Sequence, residues 1–148
     1  MIYNEKICDL FTVPSKYFLA HCISSDFGMG AGIAVQFNIN YNMKNILKEK
    51  YPTYEEIFTK NGMNGDCIKI GRVFNLVTKR KVYDKPTYDS LRSALIKCKN
   101  LCGKHGIKFL AMPLIGCGID GLDWDKVKNI ICEEFNDTDI DILVCKLK

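Results

Sequence analysis

The sequence predicts an α/β sandwich built around a largely buried mixed sheet, and three observations predict it. Short apolar runs of strand length alternate with longer stretches of helical spacing. Two glycine-rich segments each stand between an apolar run and a helical stretch. A chain of 148 residues, 47% of them hydrophobic, is the usual size of one domain with a real core.

Taken in order, Cys8 stands in an apolar, strand-like segment, and Asp9 reads either as a turn residue closing that first strand or as a functional carboxylate. Residues 16–24 (KYFLAHCIS) form a buried strand, short, apolar and followed by small polar residues. SSDFGMGAGIA is a glycine-rich turn. It runs into AVQFNINYNMKNILKEKY, one or two helical pieces with Ile33, Phe37, Met43, Ile46 and Leu47 at helical spacing, weakened by asparagines. Residues 66–78 (DCIKIGRVFNLVT) make two strands meeting around Gly71 and Arg72. Pro86 punctuates, and Thr87 caps a long helix, Tyr88–His105. On it Leu91, Leu95, Cys98 and Cys102 recur at intervals of three and four, an amphipathic face that Gly103 and Gly106 end. Residues 107–114 (IKFLAMPL) are a compact apolar strand. A further helix starts at or beside Asp123, with Trp124, Val127, Ile130 and Ile131 on one side, and DIDILVCKL closes the chain as a strand.

Composition narrows the function classes. No run of about 18 apolar residues is present, so no membrane span is expected. The opening MIYNEKICDLF has polar residues where a secretory signal needs an apolar stretch. The cytosol is therefore the expected address, with the nucleus as the alternative for a eukaryotic or viral chain. Of the eight cysteines, Cys8, Cys22, Cys67 and Cys145 sit in apolar, strand-like segments, where the thiol behaves as a small hydrophobe. Cys98 and Cys102 share a helix face, but no second CxxC-type pair exists and His21 and His105 lie far apart, which favours reduced thiols over zinc. The net charge of +4 is well short of that of a dedicated nucleic-acid binder. Lys79, Arg80, Lys81 and Lys85 form one local basic cluster, readable as a solvated loop or as part of a site.

In sheets of this kind ligands bind where loops leave the carboxyl ends of strands. Two loops fit: residues 24–32, after the strand carrying His21, and residues 116–121, after the strand ending at Met112. Glycine lets backbone N–H groups converge on an anion, and a helix N-terminus favours phosphate. Two such loops point to a diphosphate-bearing ligand. Neither is a GxxxxGK[ST] P-loop, and GMGAGIA lacks the G-x-G-x-x-G spacing of a dinucleotide fold.

The blocks AHCISSDFGMGAGIAVQF, NLVTKRKVYDKPTY and MPLIGCGIDGLDW, in this order and at these separations, resemble the macrodomain family. More narrowly they are similar to the terminal ADP-ribose protein glycohydrolase branch, which includes the macrodomain of the DarG antitoxins. The resemblance covers nearly the whole chain as one macrodomain, 1–148, and implies a three-layer α/β/α sandwich holding ADP-ribose at the strand ends. By motif position, Asp9 matches the acidic residue that contacts the adenine amino group, with Leu10 beside it. Gly30, Ala31, Gly32, Ile33 and Ala34, preceded by Met29, match the loop near the distal ribose and phosphates. Gly116, Cys117, Gly118 and Ile119, with Pro113 and Ile115 before them, match the loop that wraps the diphosphate. Ser24 matches a ligand-facing loop serine, and His21 is placed with the same set. The segment SSDFGMGAG differs from the asparagine-rich, triple-glycine loop of the MacroD type.

The resemblance places catalysis on a lysine in the T-K-[KR] block and an aspartate in G-C-G-[LI]-D, which are Lys79 and Asp120 here. A lysine amine attacks the anomeric carbon C1″ if it is deprotonated; free lysine near pKa 10.4 is a poor nucleophile. Desolvation, with Arg80 and Lys81 adjacent in sequence, is expected to favour the neutral amine. Asp120 is expected to move protons. Gly28 departs from relatives that carry a larger, basic residue before Met29. The implied function is an ADP-ribosyl hydrolase acting on mono-ADP-ribosylated protein, with ADP-ribosylated DNA or RNA as a further substrate class. The alternatives are a non-catalytic ADP-ribose reader and a hydrolase of O-acetyl-ADP-ribose or ADP-ribose 1″-phosphate. No cofactor, metal or membrane partner is expected, no toxin-binding extension is evident, and a monomer is the expected state.

Overall fold

The computed structural model describes residues 1–147. Among them the order is β1 (Ile2–Ile7), β2 (Phe18–Ser24), α1 (Ile33–Tyr41), α2 (Met43–Lys50), α3 (Tyr54–Lys60), β3 (Asp66–Ile70), β4 (Val73–Lys79), α4 (Tyr88–His105), β5 (Phe109–Met112), α5 (Trp124–Phe135) and β6 (Asp141–Lys146). One short 3₁₀ turn, Leu10–Thr12, follows β1. The strands form a single sheet in the order β1-β6-β5-β2-β4-β3. All neighbours run parallel except β3, which returns antiparallel to β4.

The central strand β2 shows why the molecule has three layers. Its side chains alternate with the period of two that a strand imposes. Leu19 and Ile23 enter one core, shared with Phe37, Met43, Leu47 and Phe58 of α1–α3. Phe18, Ala20 and Cys22 face the other, shared with Leu91, Leu95 and Cys98 of α4 and Val127 and Ile131 of α5. A mixed sheet buried on both faces is the architecture that the alternating apolar runs predict.

Local chemistry sets the element ends. Thr87 accepts from the Ser90 amide while the Ser90 hydroxyl accepts from the Thr87 amide, a capping box that starts α4. Asp123 caps α5 by accepting from the Asp125 amide. Asn42, in the left-handed region, splits the predicted helical stretch into α1 and α2. β5 stops at Met112, shorter than the apolar run, because Pro113 has no N–H for the ladder. Helix α3 has no counterpart in the sequence reading. Only Tyr54 and Phe58 of it enter the core, so its polar run carries almost no periodic signal.

His21 is a correction. It was placed with the ligand-binding residues, but it is wholly buried and faces α1 rather than the strand ends. Its ring stacks on Phe37 at 3.8 Å between centroids, and Nε2 lies 2.7 Å from Asn75 Oδ1 on the neighbouring strand. The Asn75 amide is spent on the Ile68 carbonyl, which leaves its oxygen to accept from His21 Nε2–H. Burial lowers the His21 pKa from 6.5 to about 4, so the ring is a neutral core group. Its place halfway along β2 puts it too deep in the sheet to reach the loops.

Candidate active site

Strand order reverses between β2 and β5, and the loops leaving their carboxyl ends part there. Between them lies a cleft of about 880 Å³, in the size range of small-molecule and cofactor sites. Asp9, Leu10, Ser24, Met29, Gly30, Ala31, Gly32, Ile33, Ala34, Lys79, Pro113, Ile115, Gly116, Cys117, Gly118, Ile119 and Asp120 all line it. Of the expected site residues, His21 alone is absent from its walls. A second concavity of about 490 Å³, near Ile107 and Ile140, lies at the opposite end of β5 and β6.

Lys79 reaches the cleft through an irregularity in β4. Ile23 pairs with Val77, but Ser24 pairs with Lys79, so one extra residue, Thr78, is inserted between them. A bulge of this kind re-aims the next side chain. Val73 and Val77 face the α1–α3 core, and strict alternation would send Lys79 after them. The inserted residue instead sets Lys79 on the side of Ser24 and Cys22, toward the loop after β5. There its Nζ lies 2.7 Å from Asp120 Oδ1, with side chains only 10% and 16% exposed. Lys81 does not flank this ammonium as expected: it pairs with Glu55 of α3. The charge beside Lys79 is thus a carboxylate, not a second cation.

The 116–121 loop is shaped by its glycines at one point above all. Gly116 adopts φ +71°, and a Cβ there would meet Leu122 Cδ1 at 2.9 Å. The Leu122 amide donates to the Gly116 carbonyl, closing the loop on itself. Opposite, residues 24–28 are tied to the segment after β4. The Ser25 and Asp26 amides donate to the Lys79 and Arg80 carbonyls, and the Asp26 carboxylate accepts from Ser24 Oγ and the Gly28 and Val82 amides. Gly28, the departure noted above, has a packing reason. A Cβ there would stand 2.7 Å from Val82 Cβ, so Val82 occupies the space a larger residue would need.

Asp9 accepts from the Phe11 amide through Oδ1 at 2.9 Å and remains exposed at the cleft's far end from Lys79. The cleft's thiols are poor competitors for nucleophilic chemistry. Burial, then the nearby Asp120 charge, pushes the Cys22 thiol up to about 12. Burial likewise raises Cys117, and raises Cys145 to about 12. All three stay protonated near neutrality. Cys98 and Cys102 face the α4 core beside Cys67, away from the cleft.

Sequence reasoning missed several lining residues: Phe11, Cys22, Ile23, Gln36, Val82, Leu114, Cys145 and Leu147. Phe11 directly follows Asp9 and Leu10 and was within reach of the same motif. Cys145 and Leu147 carried no local signal, since they enter only because β6 lies between β1 and β5.

Comparison with known proteins agrees with this architecture. The family model described as Macro domain matches residues 20–131. The chain is 41% identical over 143 residues to the ADP-ribose glycohydrolase OARD1 of Bos taurus, covering 94% of this chain and 88% of that protein. Identity to the protein of the same name from Homo sapiens is 40% over the same coverage. Among solved structures, the macrodomain of Mycobacterium tuberculosis DarG superposes with a TM-score of 0.76 at 22% identity, over 99% of this chain and 98% of that one. Thermosipho africanus DarTG, solved in complex with ADP-ribose, gives 0.70 at 20% identity, over 98% of this chain and 41% of that one. The chain belongs to the Macro domain family.

Proposed function

We propose that this protein is an ADP-ribosyl hydrolase that removes mono-ADP-ribose from modified acidic side chains, with Lys79 as nucleophile and Asp120 as its acid–base partner. The observation that carries this reading is the shielded 2.7 Å contact between Lys79 and Asp120 in a cleft walled by two glycine loops. Support comes from the relatives named ADP-ribose glycohydrolase and from a structural neighbour solved with ADP-ribose.

The groups suit the chemistry. ADP-ribose would lie with adenine near Asp9, whose free oxygen can accept from an exocyclic amino group. The diphosphate would be held by the 116–119 loop and the distal ribose brought to Lys79. In its resting state Lys79 is an ammonium paired with Asp120. Transfer of one proton to the carboxylate frees an amine beside the anomeric carbon. Nitrogen attacks C1″ and the bond to the substrate carboxylate breaks, that carboxylate leaving with the electron pair. The sugar is then held on Lys79 as a glycosylamine in equilibrium with its ring-opened Schiff base. Water adds at C1″, the C–N bond breaks, and ADP-ribose departs with the lysine regenerated. Raised thiol pKa values at Cys22 and Cys117 leave Lys79 without a sulfur competitor.

Turnover of glutamate-linked ADP-ribose tests the reading. Lys79→Ala should lose on the order of a thousandfold or more in kcat while still binding ADP-ribose. Reductive trapping should label Lys79; label on another residue, or full activity of Lys79→Ala, overturns the mechanism. Tight binding without release from glutamate, serine, arginine, thymidine or guanosine linkages would make the protein a reader.

A further inference from the structure

Asp120 sits in a tight turn that the Gly121 amide closes on the Gly118 carbonyl at 3.1 Å, and little packs around that turn. Gly118 and Gly121 flank it, both at positive φ (+72° and +77°), and a Cβ at either would touch nothing within 4 Å. Ile119 between them is 64% exposed. The turn's own hydrogen bond fixes its shape, while glycine dihedrals at both ends let it swing as a unit. Yet the pair with Lys79 requires Asp120 to be held to a few tenths of an ångström.

One side chain outside the cleft walls adds a restraint from a distant segment. Lys85 Nζ donates to the Ile119 carbonyl at 2.5 Å, across 34 positions of sequence. That carbonyl belongs to the peptide plane joining Ile119 to Asp120. A peptide plane is rigid, so restraining its oxygen limits where the Asp120 Cα can stand and leaves φ and the side-chain torsions to complete the aim. The base of Lys85 is itself firm. The Lys81 amide donates to Asp84 Oδ2 and the Asp84 amide to the Lys81 carbonyl, closing a turn just before it. Pro86 follows and restricts the Lys85 backbone. Further along, the Asp123 amide donates to Tyr88 Oη, anchoring the far end of the same loop to the start of α4.

We infer that Lys85 is a positioning residue: it straps the loop carrying Asp120 to the segment that follows Lys79, and so keeps the acid–base partner aimed at the nucleophile. Lys85 does not itself line the cleft; it reaches the site through the carbonyl of the lining residue Ile119, which precedes Asp120. This inference rests on the functional reading above for its catalytic meaning, while the strap itself can be tested without turnover.

The variants are Lys85→Met, which keeps the stem and removes the donors, and Lys85→Arg, which restores a donor. Amide hydrogen exchange over residues 118–122 should quicken in Lys85→Met and return toward wild type in Lys85→Arg. In steady-state turnover of glutamate-linked ADP-ribose, Lys85→Met should lose about tenfold to a hundredfold in kcat, with KM and ADP-ribose affinity within about twofold. Lys85→Arg should recover most of the loss. Unchanged exchange in Lys85→Met overturns the strap. Faster exchange with unchanged kcat, or a raised KM at unchanged kcat, overturns the positioning role. A wild-type protein that releases no ADP-ribose overturns the functional reading instead, and exchange alone then decides the strap.

Discussion

Lys79 and Asp120 meet at 2.7 Å although 41 positions separate them and each leaves a different strand end. The bulge at Thr78 turns the lysine, and the loop after β5 brings the carboxylate to it. Both side chains are mostly withdrawn from water, where a lone charge is costly and its partner correspondingly important.

Replacing Asp120 with asparagine tests what that carboxylate does beyond filling space. The amide keeps the shape and can still accept from Lys79, but it cannot take the proton. We expect kcat for glutamate-linked ADP-ribose to fall about a hundredfold to ten-thousandfold, in the range of losing a positioned acid–base group. ADP-ribose affinity, read by calorimetry, should change little. A variant with wild-type kcat would show that Asp120 moves no proton.

The buried His21 predicts an acid limb in stability. Its folded pKa, about 4, lies below the ordinary 6.5. Below pH 6.5 the unfolded chain therefore takes up a proton that the folded core refuses, and stability falls as pH drops from 6.5 toward 4. Under about pH 4 both states are protonated and the slope from this group ends. The full effect is on the order of 3 kcal/mol. Urea unfolding from pH 7 to 4 should show it, and His21→Gln should flatten that limb. An equally steep limb in His21→Gln would rule His21 out as its source.

Gly28 and Val82 predict a coupled pair. With Val82 in place, Gly28→Arg must displace a side chain standing 2.7 Å from the new Cβ, an overpacking cost of about 1–3 kcal/mol. Val82→Gly, which removes the Cβ at 2.7 Å together with both γ-methyls, should open that space and make the double variant more stable than the sum of the single changes implies. Denaturant unfolding of the four proteins measures the coupling. Strict additivity would mean that the loop relaxes around position 28 without regard to Val82.

Much of the site was legible because it is written in short, contiguous motifs. The two glycine loops follow from backbone approach to an anion, whereas Asp9, Lys79 and Asp120 stand out only through the resemblance of their blocks to the family's motifs. His21 was misplaced for the opposite reason. It adjoins a ligand loop in sequence, but a strand carries neighbouring residues to opposite faces, and position 21 points into the α1–α3 core. The basic cluster was legible as a cluster and not as four separate roles. Lys79 faces Asp120, Lys81 pairs with Glu55, and Lys85 clasps the Ile119 carbonyl.

By itself the sequence determined the layered α/β architecture, since apolar runs of strand length between helical stretches must bury both faces of a sheet. It also determined the two glycine loops that wall the cleft, because glycine placement is a local property of the chain. Only the tertiary structure decided which way Lys79 points, that β6 contributes Cys145 and Leu147 to the cleft, and that Lys85 reaches across to Ile119. These depend on strand order, on one inserted residue and on a loop's closure. Such relations arise between distant segments, and no window of sequence contains both of their ends.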